Sequence, residues 1–288
     1  MQSTLRPHPE KRPQCAPRGK RDGEAVVSAA GGAPPVVELR GVTKRFASGV
    51  AALDGVDLAV GRGEFLSLLG PSGCGKSTLL RIVAGLTPAT GGFCQVRPGE
   101  GDRPAAGAVG FVFQDPTLMP WATVAKNVEL PLRIAGRVGD AERERVAASL
   151  RAVGLAGFER AYPRQLSGGM RMRASIARAL VTEPELLLLD EPFAALDEIT
   201  RMQLNDDLLR LWEARRPTVL FVTHSVFESA YLSTRIAVMA PRPGRIVADL
   251  AVTLPQPRQR TLRTSPEYAA LCERVSLALA DAMEQHPQ

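Results

Sequence analysis

The chain has 288 residues, of which 45% are hydrophobic and 23% charged, the balance of a globular protein large enough to bury a core. Its longest apolar runs, such as Leu186–Leu189, fall far below the roughly 18 residues that carry a helix across a bilayer, and collagen, coiled coil and general disorder are excluded as well. The formal net charge of +6 is shared equally between residues 1–35 and the rest of the chain, so the body carries no strong footprint for nucleic acid.

Residues 1–35, rich in Pro, Gly, Arg and Ala and without periodicity, are expected to form a disordered leader. Its basic charge suits a solvated tail or attraction to an anionic membrane surface. Ordered sequence is expected from Val36-Val37-Glu38-Leu39 onward. Phe65–Leu69 reads as a strand, and Ser77–Ala84 as a helix stopped by Gly85 and Pro88. Val109–Phe113 is a further strand. Glu142–Val153 places Val146, Leu150 and Val153 on one helical face, and Met170–Val181 is helical up to Pro184. Leu186–Leu189 and Val219–Val222 are bounded apolar runs of the kind buried on both faces of a parallel sheet. This alternation predicts an α/β fold. Leu271–Met283 has the pattern of an amphipathic helix.

The cysteines (Cys15, Cys74, Cys94, Cys272) show no paired spacing, and histidine occurs only at positions 8, 224 and 286. Neither a zinc site nor a disulfide framework is expected.

Gly70-Pro71-Ser72-Gly73-Cys74-Gly75-Lys76-Ser77-Thr78 fits G-x-x-x-x-G-K-[ST] between a strand and a helix. Anions need donors without bulk in the way, and glycines let successive N–H groups point into one concavity while the helix adds its positive end. Lys76 can reach the β- and γ-phosphates of a nucleotide, Ser77 can ligate Mg²⁺, and Cys74 is a small filler. Leu186–Leu189 ends in Asp190-Glu191, two carboxylates on the sheet edge where α/β proteins bind ligands. Asp190 suits Mg²⁺ and Glu191 suits polarising a water for in-line attack. Pro192 favours an extended Glu191. Ser167-Gly168-Gly169 precedes a helix and offers a hydroxyl, free N–H groups and a dipole end, which makes a second anion site.

Leu166-Ser167-Gly168-Gly169-Met170 resembles the LSGGQ signature of the ATP-binding cassette family at four of five positions, and the resemblance covers about residues 36–248. It implies a RecA-like P-loop NTPase sheet with an antiparallel β subdomain near 36–66 and 90–113 and a helical subdomain near 115–175; residues 249–288 are expected to form a partly helical C-terminal extension outside it. By resemblance, Phe46 stacks on adenine, Gln114 contacts Mg²⁺, Asp197 lies across a dimer interface and His224 faces the γ-phosphate. The resemblance further implies an ATPase in which Lys76, Gln114, Glu191 and His224 act on ATP. Ser167, Gly168 and Gly169 would cover ATP held by a second copy. It also implies separate permease subunits, a solute-binding protein and a place on the cytoplasmic face of the membrane. Met170 in place of Gln, and Pro241-Arg242-Pro243-Gly244-Arg245-Ile246, resemble nitrate, sulfonate and taurine importers. The rival, a non-transport cassette acting on nucleic acid or the ribosome, generally carries two cassettes or a long coiled-coil insertion. A P-loop kinase or GTPase would leave Ser167-Gly168-Gly169 unexplained.

Overall fold

A computed structural model describes residues 34–98 and 107–285; most of the expected leader over 1–35 lies outside them. Strands β1 (Val37–Arg45), β2 (Ala51–Val60) and β4 (Gly91–Val96) form an antiparallel sheet in the order β2-β1-β4. Strands β3 (Phe65–Leu69), β5 (Val109–Val112), β6 (Leu186–Asp190), β7 (Thr218–Thr223), β8 (Arg235–Met239) and β9 (Ile246–Ala251) form the second sheet, in the order β5-β6-β7-β3-β8-β9. Its pairings are parallel except β8 with β9.

The central strands show why their sequences are apolar without interruption. Every residue of β3, β6 and β7 is buried. Successive side chains point to opposite faces. Phe65, Leu187, Leu189, Val219 and Phe221 join one core, whereas Leu66, Leu68, Leu186, Leu188, Leu220 and Val222 join the other. The first core packs under helices α2 (Val124–Ile134), α3 (Asp140–Ala152), α4 (Gly168–Leu180), α5 (Glu198–Arg215), α6 (Val226–Leu232) and α7 (Pro266–Glu284). The second packs under α1 (Lys76–Val83) and the antiparallel sheet.

Two expectations need adjustment. Val109–Val112 does not belong to the antiparallel subdomain; it pairs in parallel with Leu186–Leu189 at the edge of the large sheet. Gly110 permits this, because a Cβ there would sit 2.8 Å from the Ala179 carbonyl oxygen. The boundary expected at residue 248 falls within β9. Beyond it, α7 buries Tyr268, Leu271, Cys272 and Val275 in the same core, and the buried Arg258 donates to the carbonyls of Tyr231 (2.5 Å) and Ser233 (2.7 Å).

Candidate active site

The strand order places the functional segments in a row. The phosphate loop leaves the carboxyl end of β3, His224 follows β7, Asp190 ends β6 and Gln114 lies just past β5. These four strands are neighbours in the sheet, so one edge collects residues far apart in the chain.

The loop is built on positive backbone angles at Gly73 (φ 79) and Gly75 (φ 109), conformations that side-chain-bearing residues rarely adopt. Space also requires Gly75, since a Cβ there would meet the Ala52 carbonyl oxygen at 2.6 Å. Lys76 is 3% exposed. Its Nζ donates to the carbonyls of Gly70 and Pro71, both at 2.8 Å, and lies 3.7 Å from Glu191 Oε1. An incoming phosphate therefore competes with Glu191 for an ammonium already held in place by its own loop. Burial pushes the Cys74 thiol up, against the pull of Lys76, so Cys74 stays protonated and acts as packing.

Ser77 Oγ donates to Asp190 Oδ1 at 2.6 Å. Burial raises the Asp190 carboxyl, and the Ser77 hydrogen bond opposes the rise. This hydroxyl and carboxylate are hard oxygen donors that fit Mg²⁺ when phosphate oxygens and water complete the shell. Among the described residues no group of three or more His, Cys, Asp or Glu could hold a metal.

Glu191 departs from the extended backbone that Pro192 favours: its φ is 44, in the left-handed region that costs a side-chain-bearing residue about 1–2 kcal/mol. Its N–H donates to the Val222 carbonyl at 3.1 Å, and its own carbonyl accepts from Ala194 at 3.2 Å. The carboxylate meets His224, whose Nδ1 lies 3.1 Å from Glu191 Oε2.

A cavity of about 310 Å³ joins Phe46, Ser48 and Val50 to Gly73, Gly75, Lys76, Ser77, Thr78, Glu191 and Arg242. Phe46, 42% exposed, stands at one end with the Lys44 ammonium 5.3 Å from its ring centre. Gln114 is exposed and does not line this cavity. Asp197 is exposed and caps α5 by accepting from the Thr200 N–H at 3.0 Å, which holds its carboxyl below the usual range. Ser167 caps α4 by accepting from the Met170 N–H at 3.2 Å. Ser167, Gly168 and Gly169 lie outside the cavity. Gly169 faces Thr200, whose Cγ2 would lie 2.6 Å from an added Cβ.

Sequence reasoning took Pro241–Ile246 as a marker of kinship and missed its structural part. Arg242 Nε and Nη2 donate to the Gly73 carbonyl at 3.2 and 3.1 Å. Gly244 packs so tightly on the loop that an added Cβ would sit 2.2 Å from the Cys74 carbonyl oxygen. The Pro-Gly turn was the available signal, but nothing local tells what it presses against.

An aromatic face at one end of a cavity, and N–H groups with a buried ammonium at the other, suit a purine nucleotide. Set on the carboxyl edge of this sheet, they define a P-loop nucleotide hydrolase of the cassette type. Comparison with known proteins supplies the family. Residues 53–194 match the family described as ABC transporter. An ABC transporter ATP-binding protein of Methanocaldococcus jannaschii is 50% identical over 219 residues, covering 76% of this chain and 82% of its own. An aliphatic sulfonates import ATP-binding protein of Pseudomonas fluorescens is 48% identical over 251 residues, covering 87% of this chain and 89% of its own. Among solved structures, a dimeric ATP-binding cassette in a post-hydrolysis state, bound to ADP and Pi, superposes with a TM-score of 0.66 at 34% identity, covering 76% of this chain and 99% of that one. The chain belongs to the ABC transporter ATP-binding family and is an ATPase.

Proposed function

We propose that this ATPase powers an importer for a small oxyanionic solute of the nitrate, sulfonate or taurine type. Two copies would pair head to tail, and separate permease subunits would hold them at the cytoplasmic face of the membrane, with a solute-binding protein delivering cargo. One observation carries the reading: the cradle around Lys76 is internally complete, while Ser167 and Gly168 lie exposed outside its cavity. An anion site without its own nucleotide needs another chain's. The dimeric relative and the sulfonate-import relative support the same arrangement. No helix among the described residues is long and apolar enough to cross a membrane. The helical region offers a docking face, with Trp121 77% exposed and Ile134, 78% exposed, lining a groove with Phe111, Phe113, Leu130 and Pro131.

In the proposed reaction the loop N–H groups and Lys76 hold the phosphates. Phe46 stacks on the base. Ser77 and Asp190, with Gln114, would hold Mg²⁺, which would supply positive charge to the phosphates when bound. Glu191 accepts a proton from the attacking water, and His224 stabilises charge on the γ-phosphate. Asp197 and the Ser167–Gly169 corner serve the other copy's nucleotide.

The test uses Glu191→Gln, which is expected to bind ATP, accumulate dimer on size exclusion and stop turnover. A monomer with full hydrolysis would overturn the role of Glu191. Solute class is tested in proteoliposomes holding the permease subunits that co-purify with this chain, with their solute-binding protein added. ATP-driven uptake of an alkanesulfonate, taurine or nitrate is expected, and uptake of none of them refutes the class.

A further inference from the structure

We infer that Arg201 and Glu228 are positioning residues for hydrolysis, forming a strap that ties the Leu196–Asp197 corner to the loop carrying His224. The inference rests on the reading of Glu191 and His224 as the hydrolytic pair.

Arg201 lies on the first turn of α5, one turn beyond Asp197. Its guanidinium reaches three ways. Nη2 donates to the Leu196 carbonyl at 2.9 Å, Nη1 lies 3.5 Å from Glu198 Oε2, and Nε lies 3.8 Å from Glu228 Oε1. That Nε is buried and has no hydrogen-bond partner, so Glu228 is the charge that compensates it. Glu228, 7% exposed on α6, accepts from Thr223 Oγ1 through its second oxygen. Thr223 immediately precedes His224, and its Oγ1 also accepts from the Ser225 N–H at 3.0 Å. One hydroxyl thus links both flanks of His224 to Glu228.

The strap lies against the hydrolytic pair. A space of only about 10 Å³ is enclosed by Glu191, Arg201, Thr223, His224 and Glu228 together with their neighbours Ala194 and Ser225. Packing this close transmits small displacements rather than absorbing them. The far end of the strap touches the second anion site: Leu196 Cδ2 lies 3.7 Å from the position of a Cβ on Gly168. A molecule pressing on that corner moves the Leu196 carbonyl, the Arg201 fork follows it, and Glu228 carries the motion to Thr223 and His224.

Stability alone does not account for this pair. Burial pushes the Glu228 carboxyl up, while Thr223 and Arg201 pull it down, and a buried ion pair is weak evidence for stability because desolvation offsets its attraction. What the pair supplies is a fixed geometry between two segments.

The experiment compares the full chain with Arg201→Gln, Glu228→Gln and the double variant Arg201→Gln/Glu228→Gln, with His224→Ala as reference. It reads kcat, KM for ATP and melting temperature. Each single variant is expected to lose about tenfold in kcat, 1.4 kcal/mol of transition-state stabilisation, with KM within about twofold. The double variant leaves no unpaired buried charge, so its melting temperature recovers toward that of the parent while its kcat stays as low as that of the single variants. That split separates positioning from folding. Unchanged kcat in the singles, multiplied losses in the double, or a kcat that recovers together with melting temperature would overturn the strap. If the parent shows no turnover, or His224→Ala keeps full turnover, the hydrolytic reading itself fails and takes the strap with it.

Discussion

The phosphate loop and the Ser167–Gly169 corner are both helix starts built to meet an anion, yet they differ in completeness. In the loop, Lys76 is buried and bonded to its own carbonyls, Ser77 is joined to Asp190, and Glu191 waits within 3.7 Å of the ammonium. At the corner, Ser167 is exposed and its hydroxyl serves only its own helix. The N–H groups of Gly168 and Gly169, the first two positions of α4, belong to the helix start that intrahelical bonding leaves open. On the proposed reading the loop holds a ligand alone, and the corner completes a site that another molecule begins.

The comparison breaks most sharply in a mixing experiment. Lys76→Ala is expected to lower hydrolysis by about 10²–10³-fold, the scale on which removing a transition-state charge partner acts, and to weaken ATP binding. Ser167→Arg is expected to lose turnover to a similar extent while its monomer still binds ATP. In a head-to-tail pair, one chain of each variant leaves one of two pockets intact. An equal mixture should therefore regain about a quarter of the parent rate. A mixture as dead as its components would show that loop and corner do not meet across chains.

A smaller effect is expected at Gly244→Ala, whose Cβ would lie 2.2 Å from the Cys74 carbonyl oxygen. Forced overpacking of this kind costs about 1–3 kcal/mol. The melting temperature should fall and the Kd for ATP rise together, because the turn supports the loop from behind. Parent-like values for both would mean that the loop does not depend on its buttress.

The smallest effect sharpens the loop side. Burial raises the Asp190 carboxyl, so the folded state keeps that proton to higher pH than the unfolded chain does. Without metal, stability then rises as pH falls through the window above the ordinary aspartate range, and the ionised carboxylate is a cost above that window. Asp190→Asn should raise the melting temperature of the metal-free protein at neutral pH by about 2–4 °C while losing Mg²⁺-dependent turnover. The two proteins should converge at acid pH. Equal melting temperatures at neutral pH would remove the cost.

Much of this is legible in the sequence. The phosphate loop is readable because an anion cradle needs consecutive N–H groups, which forces its residues into one short run. The strands β6 and β7 are readable because burial on both faces leaves no room for polar residues. The φ of 44 at Glu191 was not legible, because a hydrogen bond from its N–H to Val222 overrides the preference set by Pro192. Nor was the parallel pairing of Val109–Val112, since four apolar residues suit either sheet until a partner is chosen. The contribution of α7 and Arg258 to the core stayed hidden for the same reason.

The sequence by itself determined the kind of chemistry, because loop, carboxylates and histidine carry their reactivity in residue type and short-range order. Only the tertiary structure decided who supports whom. Arg242 and Gly73, 169 positions apart, meet through the order of strands in a sheet. Arg201 meets Glu228 because two helices pack side by side. Such contacts are chosen by the packing of whole elements, and no local pattern in the chain encodes them.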